Sequence, residues 1–115
     1  MSNNEIEVYK ADTVSIVITV KNSNDIAINI TGYTFYFTVK SSYSDSDATA
    51  KINKTITSHN DPTNGQTTVT LSATDTNQTA GNYYYDIIMK DGSSNVTTLL
   101  HGIFKVLSRV RIAAS

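Results

Sequence analysis

Apolar and polar residues alternate with a period of two in one stretch of this chain after another, and turn-forming residues separate the stretches. Val14, Ile16, Ile18 and Val20 point one way, and Ser15, Val17, Thr19 and Lys21 the other. Successive side chains of a strand project to opposite faces, so this pattern predicts an extended segment with one buried side. Tyr33, Phe35, Phe37 and Val39 against Thr34, Tyr36 and Thr38 form the clearest such stretch. Thr67, Val69 and Leu71 form another inward set, as do Tyr83, Tyr85, Ile87 and Met89 against Tyr84, Asp86, Ile88 and Lys90. Ala50–Thr57 is a weaker strand with Ile52 and Ile56 on one side, Ile26–Ile30 is a short one, and Val96–Leu107 is the last and longest.

The breaks carry turn chemistry. Asn22-Ser23-Asn24-Asp25, Thr31-Gly32, Pro62 with Asn64-Gly65, and Asp91-Gly92 all suit tight reversals, because Asn and Asp bond nearby backbone and Gly accepts positive φ. Ser41–Thr49 reads as a flexible polar loop, and Ala73–Ala80 as a polar segment with room for one helical turn capped by Ser72 or Asp75. Gly102 is expected at a bulge or close contact. About seven strands result, with no helical pattern long enough to cover a sheet. A two-sheet sandwich or a small barrel remains.

Composition narrows the function classes. Residues 1–115 suit one domain, and a chain this long buries enough surface to fold without metal or disulfide. The net charge of -1 gives no basic field for nucleic acid. There is no cysteine, hence no thiolate chemistry. No stretch approaches a membrane span, and Met1–Glu7 lacks the apolar run of a secretory signal, so the chain is expected to be soluble and to begin at its own Met1.

One corner selects among all-β architectures. Gly81-Asn82-Tyr83 opens a strand directly after the polar segment Thr74–Ala80. Immunoglobulin-like folds place a tyrosine there whose hydroxyl bonds backbone at the preceding corner. Tyr85 then holds the place of the second cysteine of antibody domains, and Phe35 or Phe37 that of the central aromatic. The expected fold is an all-β, immunoglobulin-like antiparallel sandwich of about seven strands.

The order of these motifs resembles the immunoglobulin-like domain at the N-terminus of phage baseplate upper proteins and in small phage structural proteins. The matching residues are Asp12-Thr13, Ile30-Thr31-Gly32 before Tyr33-Thr34-Phe35, Val69-Thr70-Leu71-Ser72 with Asp75-Thr76, Gly81-Asn82-Tyr83-Tyr84-Tyr85, and Thr98-Leu99 with Gly102-Ile103-Phe104-Lys105-Val106. They cover roughly Tyr9–Leu107. The resemblance implies a virion component of a tailed phage or prophage, made in the bacterial cytoplasm. It also implies a role in baseplate, tail or fibre assembly, with other virion proteins or further copies of itself as partners and no enzymatic residues. Long members of the family lead from this domain into further segments, whereas this chain ends at Ser115.

A search for chemistry supports the same reading. His59 and His101 are not at metal-ligand spacing, and no glycine-rich turn frames a serine nucleophile. Asp45-Ser46-Asp47 lacks the further acids of a calcium loop and reads as solvated. The sequons at Asn29, Asn53, Asn77 and Asn95 follow from a composition rich in Asn and Thr. No catalytic, cofactor or metal residue is expected.

Binding is expected on an outward sheet face. With Phe35, Tyr85, Phe104 and Val106 turned inward, Tyr36, Tyr84, Ile88, His101 and Ile103 share the opposite side. An aromatic face with an apolar centre suits protein contact, and equally suits cross-strand pairs that only stabilise the sheet. Edges are a second possibility: Glu5–Lys10 reads as a charged edge strand. Arg109-Val110-Arg111-Ile112 either extends the last strand towards a neighbour or frays. The competing function is a monomeric module for carbohydrate or cell surface that stacks sugars on Tyr36, Tyr43 and Tyr84.

Overall fold

The computed structural model describes residues 5–42 and 44–108, and in it the alternating stretches form two sheets around one apolar layer. The strands are β1 (Ile6–Tyr9), β2 (Val14–Thr19), β3 (Thr34–Lys40), β4 (Ile52–Ile56), β5 (Gln66–Leu71), β6 (Gly81–Lys90) and β7 (Val96–Leu107). One sheet has the order β1-β7-β6-β3-β4, and the other pairs β2 with β5. The fold is a β-sandwich, one of the two architectures that the alternation leaves open. Phe35, Phe37, Val39, Tyr85, Ile87, Phe104 and Val106 of the larger sheet are buried against Ile18, Val69 and Leu71 of the smaller one.

The ladders are antiparallel except one. β1 runs parallel to β7, with Ile6 opposite Phe104 and Val8 opposite Val106. The segment from Lys10 to Thr13 then carries the chain into the opposite sheet, where β2 begins, so β1 closes the larger sheet instead of forming a hairpin with β2.

Local chemistry explains the corners. The Tyr83 hydroxyl donates to the carbonyl oxygen of Thr79 at 2.6 Å, the bond expected of a tyrosine at this corner. Ser72 and Asp75 cap each other: the Ser72 N–H donates to Asp75 Oδ2 at 2.8 Å, and the Asp75 N–H to Ser72 Oγ at 3.2 Å. Burial opposes ionisation of Asp75. The Lys54 ammonium at 2.8 Å and the Ser72 donors outweigh it and hold the carboxyl below its ordinary value. The fully buried Thr76 donates its hydroxyl to the Asp12 carbonyl at 2.6 Å, tying this corner to the start of β2. His59 links the two sheets. Its Nε2 bonds the Tyr33 carbonyl at 2.8 Å, its Nδ1 bonds Thr67 Oγ1 at 2.8 Å, and its ring meets the Phe35 ring edge-on. A carbonyl can only accept, so Nε2 carries a proton.

Four expectations are corrected. Ile26–Ile30 is not a strand but a single bridge, Lys21 to Ala27, because Asn22 Oδ1 accepts from the N–H groups of Asn24 and Ile26 and folds the segment back. Ser41–Thr49 holds a 3-10 turn at Asp47–Thr49, anchored by Lys40, whose ammonium meets Asp47 at 2.8 Å and the Asp45 carbonyl at 2.8 Å. The bulge of the β6–β7 ladder lies beside Leu99, where Ile87 faces Leu100 and Ile88 faces Thr98, and Gly102 pairs regularly with Tyr85. In the β6–β7 turn the left-handed residue is Ser94, at φ 67, and not Gly92. Asp91 Oδ1 accepts from the N–H groups of Ser93 and Asn95 and so sets a longer turn than Asp-Gly alone implies. Arg109–Ile112 lies outside the described residues.

Candidate functional site

The register of the larger sheet lays its outward side chains in rows. Ile103, Tyr84 and Lys40 form one row across β7, β6 and β3. His101, Asp86, Thr38 and Asn53 form the next, reaching β4. Thr98, Ile88, Tyr36 and Thr55 form the third. Strand alternation separates neighbouring rows by two residues, about 7 Å. The sequence placed Tyr36, Tyr84, Ile88, His101 and Ile103 on one outward face, and all five lie in these three rows. Tyr84 faces Ile103 directly, and Tyr36 faces Ile88. Tyr84 and Ile103 are each 37% exposed. The smaller sheet covers the opposite side.

The face is not flat. A groove of about 490 Å³ runs over β3, β4 and β6, with Tyr36, Thr38, Asn53, Tyr84, Asp86 and Ile88 among its lining residues. The Lys40–Asp47 ion pair lies at the groove, and Val96 adds to its lining from β7. Asp86 sits in the middle row, between Tyr84 and Ile88 along β6 and between Thr38 and His101 across the sheet. Desolvation raises the pKa of Asp86, and Asp47 adds to the shift. Electrostatic interaction with Lys40 and with His101 opposes it without cancelling it. Among the described residues, none of the interactions that shift it is a hydrogen bond. Tyr85, on the inner side of the same strand, is raised by burial alone.

Asp86 is the residue that sequence reasoning undervalued. It was legible as an outward acid between two large side chains, Tyr84 and Ile88. Its companions Thr38 and Asn53 were not, because their place beside it depends on the registers of two ladders. Of the tyrosines considered for sugar stacking, Tyr36 and Tyr84 line the groove, and Tyr43 lies outside the described residues.

The groups that could have supplied metal chemistry are otherwise engaged. Both nitrogens of His59 are hydrogen-bonded, Asp47 pairs with Lys40, and Asp45 accepts from the Ser42 N–H. Among the described residues, no three His, Asp or Glu side chains converge to hold an ion. No helix among them is long and apolar enough to cross a membrane.

A family model described as the BppU N-terminal domain matches residues 1–105. No curated protein matches the chain.

Proposed function

Because the chain belongs to the BppU N-terminal domain family, a phage baseplate upper protein domain, we propose that it acts without catalysis, holding virion proteins together through the outward face of its larger sheet. The family makes it a structural protein associated with the phage baseplate, and so a virion component. The finer reading is that its work is contact: with other virion proteins, or between copies, with the whole chain acting as one domain.

The observation that carries this reading is the continuity of the face. Tyr36, Tyr84, Ile88, His101 and Ile103 occupy adjacent rows of one sheet, on the side the second sheet leaves bare. A half-exposed Tyr-Ile pair beside a second Tyr-Ile pair offers the large, rigid side chains that dominate contact energies. The inward face of the same strands is already filled, so these residues are not needed to complete the core.

Tyr84→Ser and Ile103→Asp test the reading. Both residues face outward, so both variants are expected to keep the parent's circular dichroism and melting behaviour. Each is expected to weaken association with baseplate proteins of the same virion, or self-association, by about tenfold or more, as truncation of a central contact residue does. Light scattering and co-sedimentation measure it. If both variants fold and assemble as the parent does, the face is not an interface.

A further inference from the structure

The groove gives the contact face a chemical preference. Along its lining, Tyr36 and Tyr84 supply aromatic rings, and Thr38, Asn53 and Thr55 supply small polar groups. Three charged groups lie there, Lys40, Asp47 and Asp86, two of them negative. The cation is already used: the Lys40 ammonium is held by the Asp47 carboxylate and the Asp45 carbonyl, each at 2.8 Å. Asp86 is left as the carboxylate at the centre of the face, between Tyr84 and Ile88 along its strand and drawn partly out of water. His101 lies across the ladder on β7 and is the nearest titratable neighbour there.

A carboxylate in that position is costly to the isolated fold and useful to a complex. An ionised carboxylate only accepts hydrogen bonds, so its complement is a donor, and a charged donor gains most. The rings of Tyr36 and Tyr84 favour a flat cation, which can lie against an aromatic face while its edge meets an acid. Guanidinium does both at once, stacking by its plane while its edge donates, whereas an ammonium is a compact point charge with no plane to stack.

We propose that the groove receives an arginine side chain from the protein partner, its guanidinium paired with Asp86 and stacked against Tyr36 or Tyr84. This rests on the reading of the face as a contact surface and names the chemistry of what docks there. Arginine beside tyrosine is also the combination that tends to concentrate binding energy at an interface.

The test needs no partner protein. The isotope-labelled chain is titrated with N-acetyl-arginine amide and, separately, with N-acetyl-citrulline amide, which is flat, of the same length and uncharged. Saturable NMR shifts are expected with the arginine compound in the millimolar range, centred on Tyr36, Thr38, Tyr84, Asp86 and Ile88. The citrulline compound is expected to bind about tenfold more weakly, since it lacks the charge-assisted bond. Asp86→Asn is expected to reduce arginine binding to the citrulline level. That variant removes a desolvated charge, so it is expected to melt at or above the parent's temperature. Equal binding of the two compounds, shifts confined to other surfaces, or the absence of saturable shifts overturns the proposal, and the parent chain alone suffices to see any of these. A failed titration alongside weakened assembly in Tyr84→Ser and Ile103→Asp removes the arginine and leaves the contact face standing.

Discussion

Replacing Phe37 by alanine is expected to lower the unfolding free energy by about 4 kcal/mol, read as a shift of the urea midpoint at constant slope. Phe37 has no exposed surface and lies on β3, next to the middle strand of the larger sheet. Its ring packs against Tyr85 with centroids 5.8 Å apart and against Phe104 at 6.1 Å. Truncation therefore removes one member of an aromatic trio contributed by β3, β6 and β7, and rigid sheets collapse poorly around the space left behind. Domains of this size hold about 5–15 kcal/mol in all, so the change takes a large share of the stability. A loss below about 1 kcal/mol, the range of surface substitutions, would mean that the inward set of β3 is not the core.

Gly65→Ala is expected to cost about 3 kcal/mol or more, for a different reason. Gly65 has φ 74, in the left-handed region, where a side chain alone costs about 1–2 kcal/mol. A Cβ there would also stand 2.6 Å from the Val20 carbonyl oxygen and 2.8 Å from that of Ile28, and both are backbone atoms that cannot rotate away. The same carbonyl regions hold the junction together: the Val20 N–H donates to the Gly65 oxygen at 2.8 Å, and the Ile28 N–H to the Val20 oxygen at 3.0 Å. Making room for a methyl group therefore disturbs the end of β2 and the start of β5 together. Gly32→Ala is the internal comparison. Its φ is 83 but nothing lies within 4 Å of the added atom, so only the conformational cost is expected there. Thermal or chemical denaturation of the two variants separates the steric from the conformational part, and equal losses would contradict the close approach at Gly65.

The strands were legible because their inward residues are large and their outward ones polar or aromatic. Thr34–Val39 and Tyr84–Lys90 show this best, and there the sequence pattern and the ladder agree. Tyr83 was legible because a particular corner requires a particular hydroxyl. What stayed hidden depends on partners remote in sequence. The parallel pairing of β1 with β7 joins residues about a hundred positions apart, and Glu5–Lys10 alone reads only as a charged edge. Ile26–Ile30 has strand-forming residues, but the Asn22 side chain captures the Ile26 N–H at its start, and periodicity does not register that competition. The extra residue at Leu99 preserves alternation on either side, so the bulge leaves no mark stronger than Gly102 does.

The outward face shows the same division. Alternation alone assigns Tyr36, Tyr84, Ile88, His101 and Ile103 to one side. Only register shows that Asp86, Thr38 and Asn53 lie in a line between the tyrosines and make a groove of what would otherwise be a flat patch. Asp86 then stands out on energetic grounds, as a carboxylate kept partly from water at the middle of the face.

Covalent labelling of tyrosine side chains in the free chain and in the assembled baseplate bears most directly on the contact surface. Tyr84 and Tyr36 on the outward face should lose reactivity several-fold on assembly, while Tyr9 on β1, 53% exposed, serves as the reference within the same molecule. Unchanged labelling of Tyr36 and Tyr84 in the assembled particle would show that this side of the sheet still faces solvent there, and that the virion is held together through some other part of the chain.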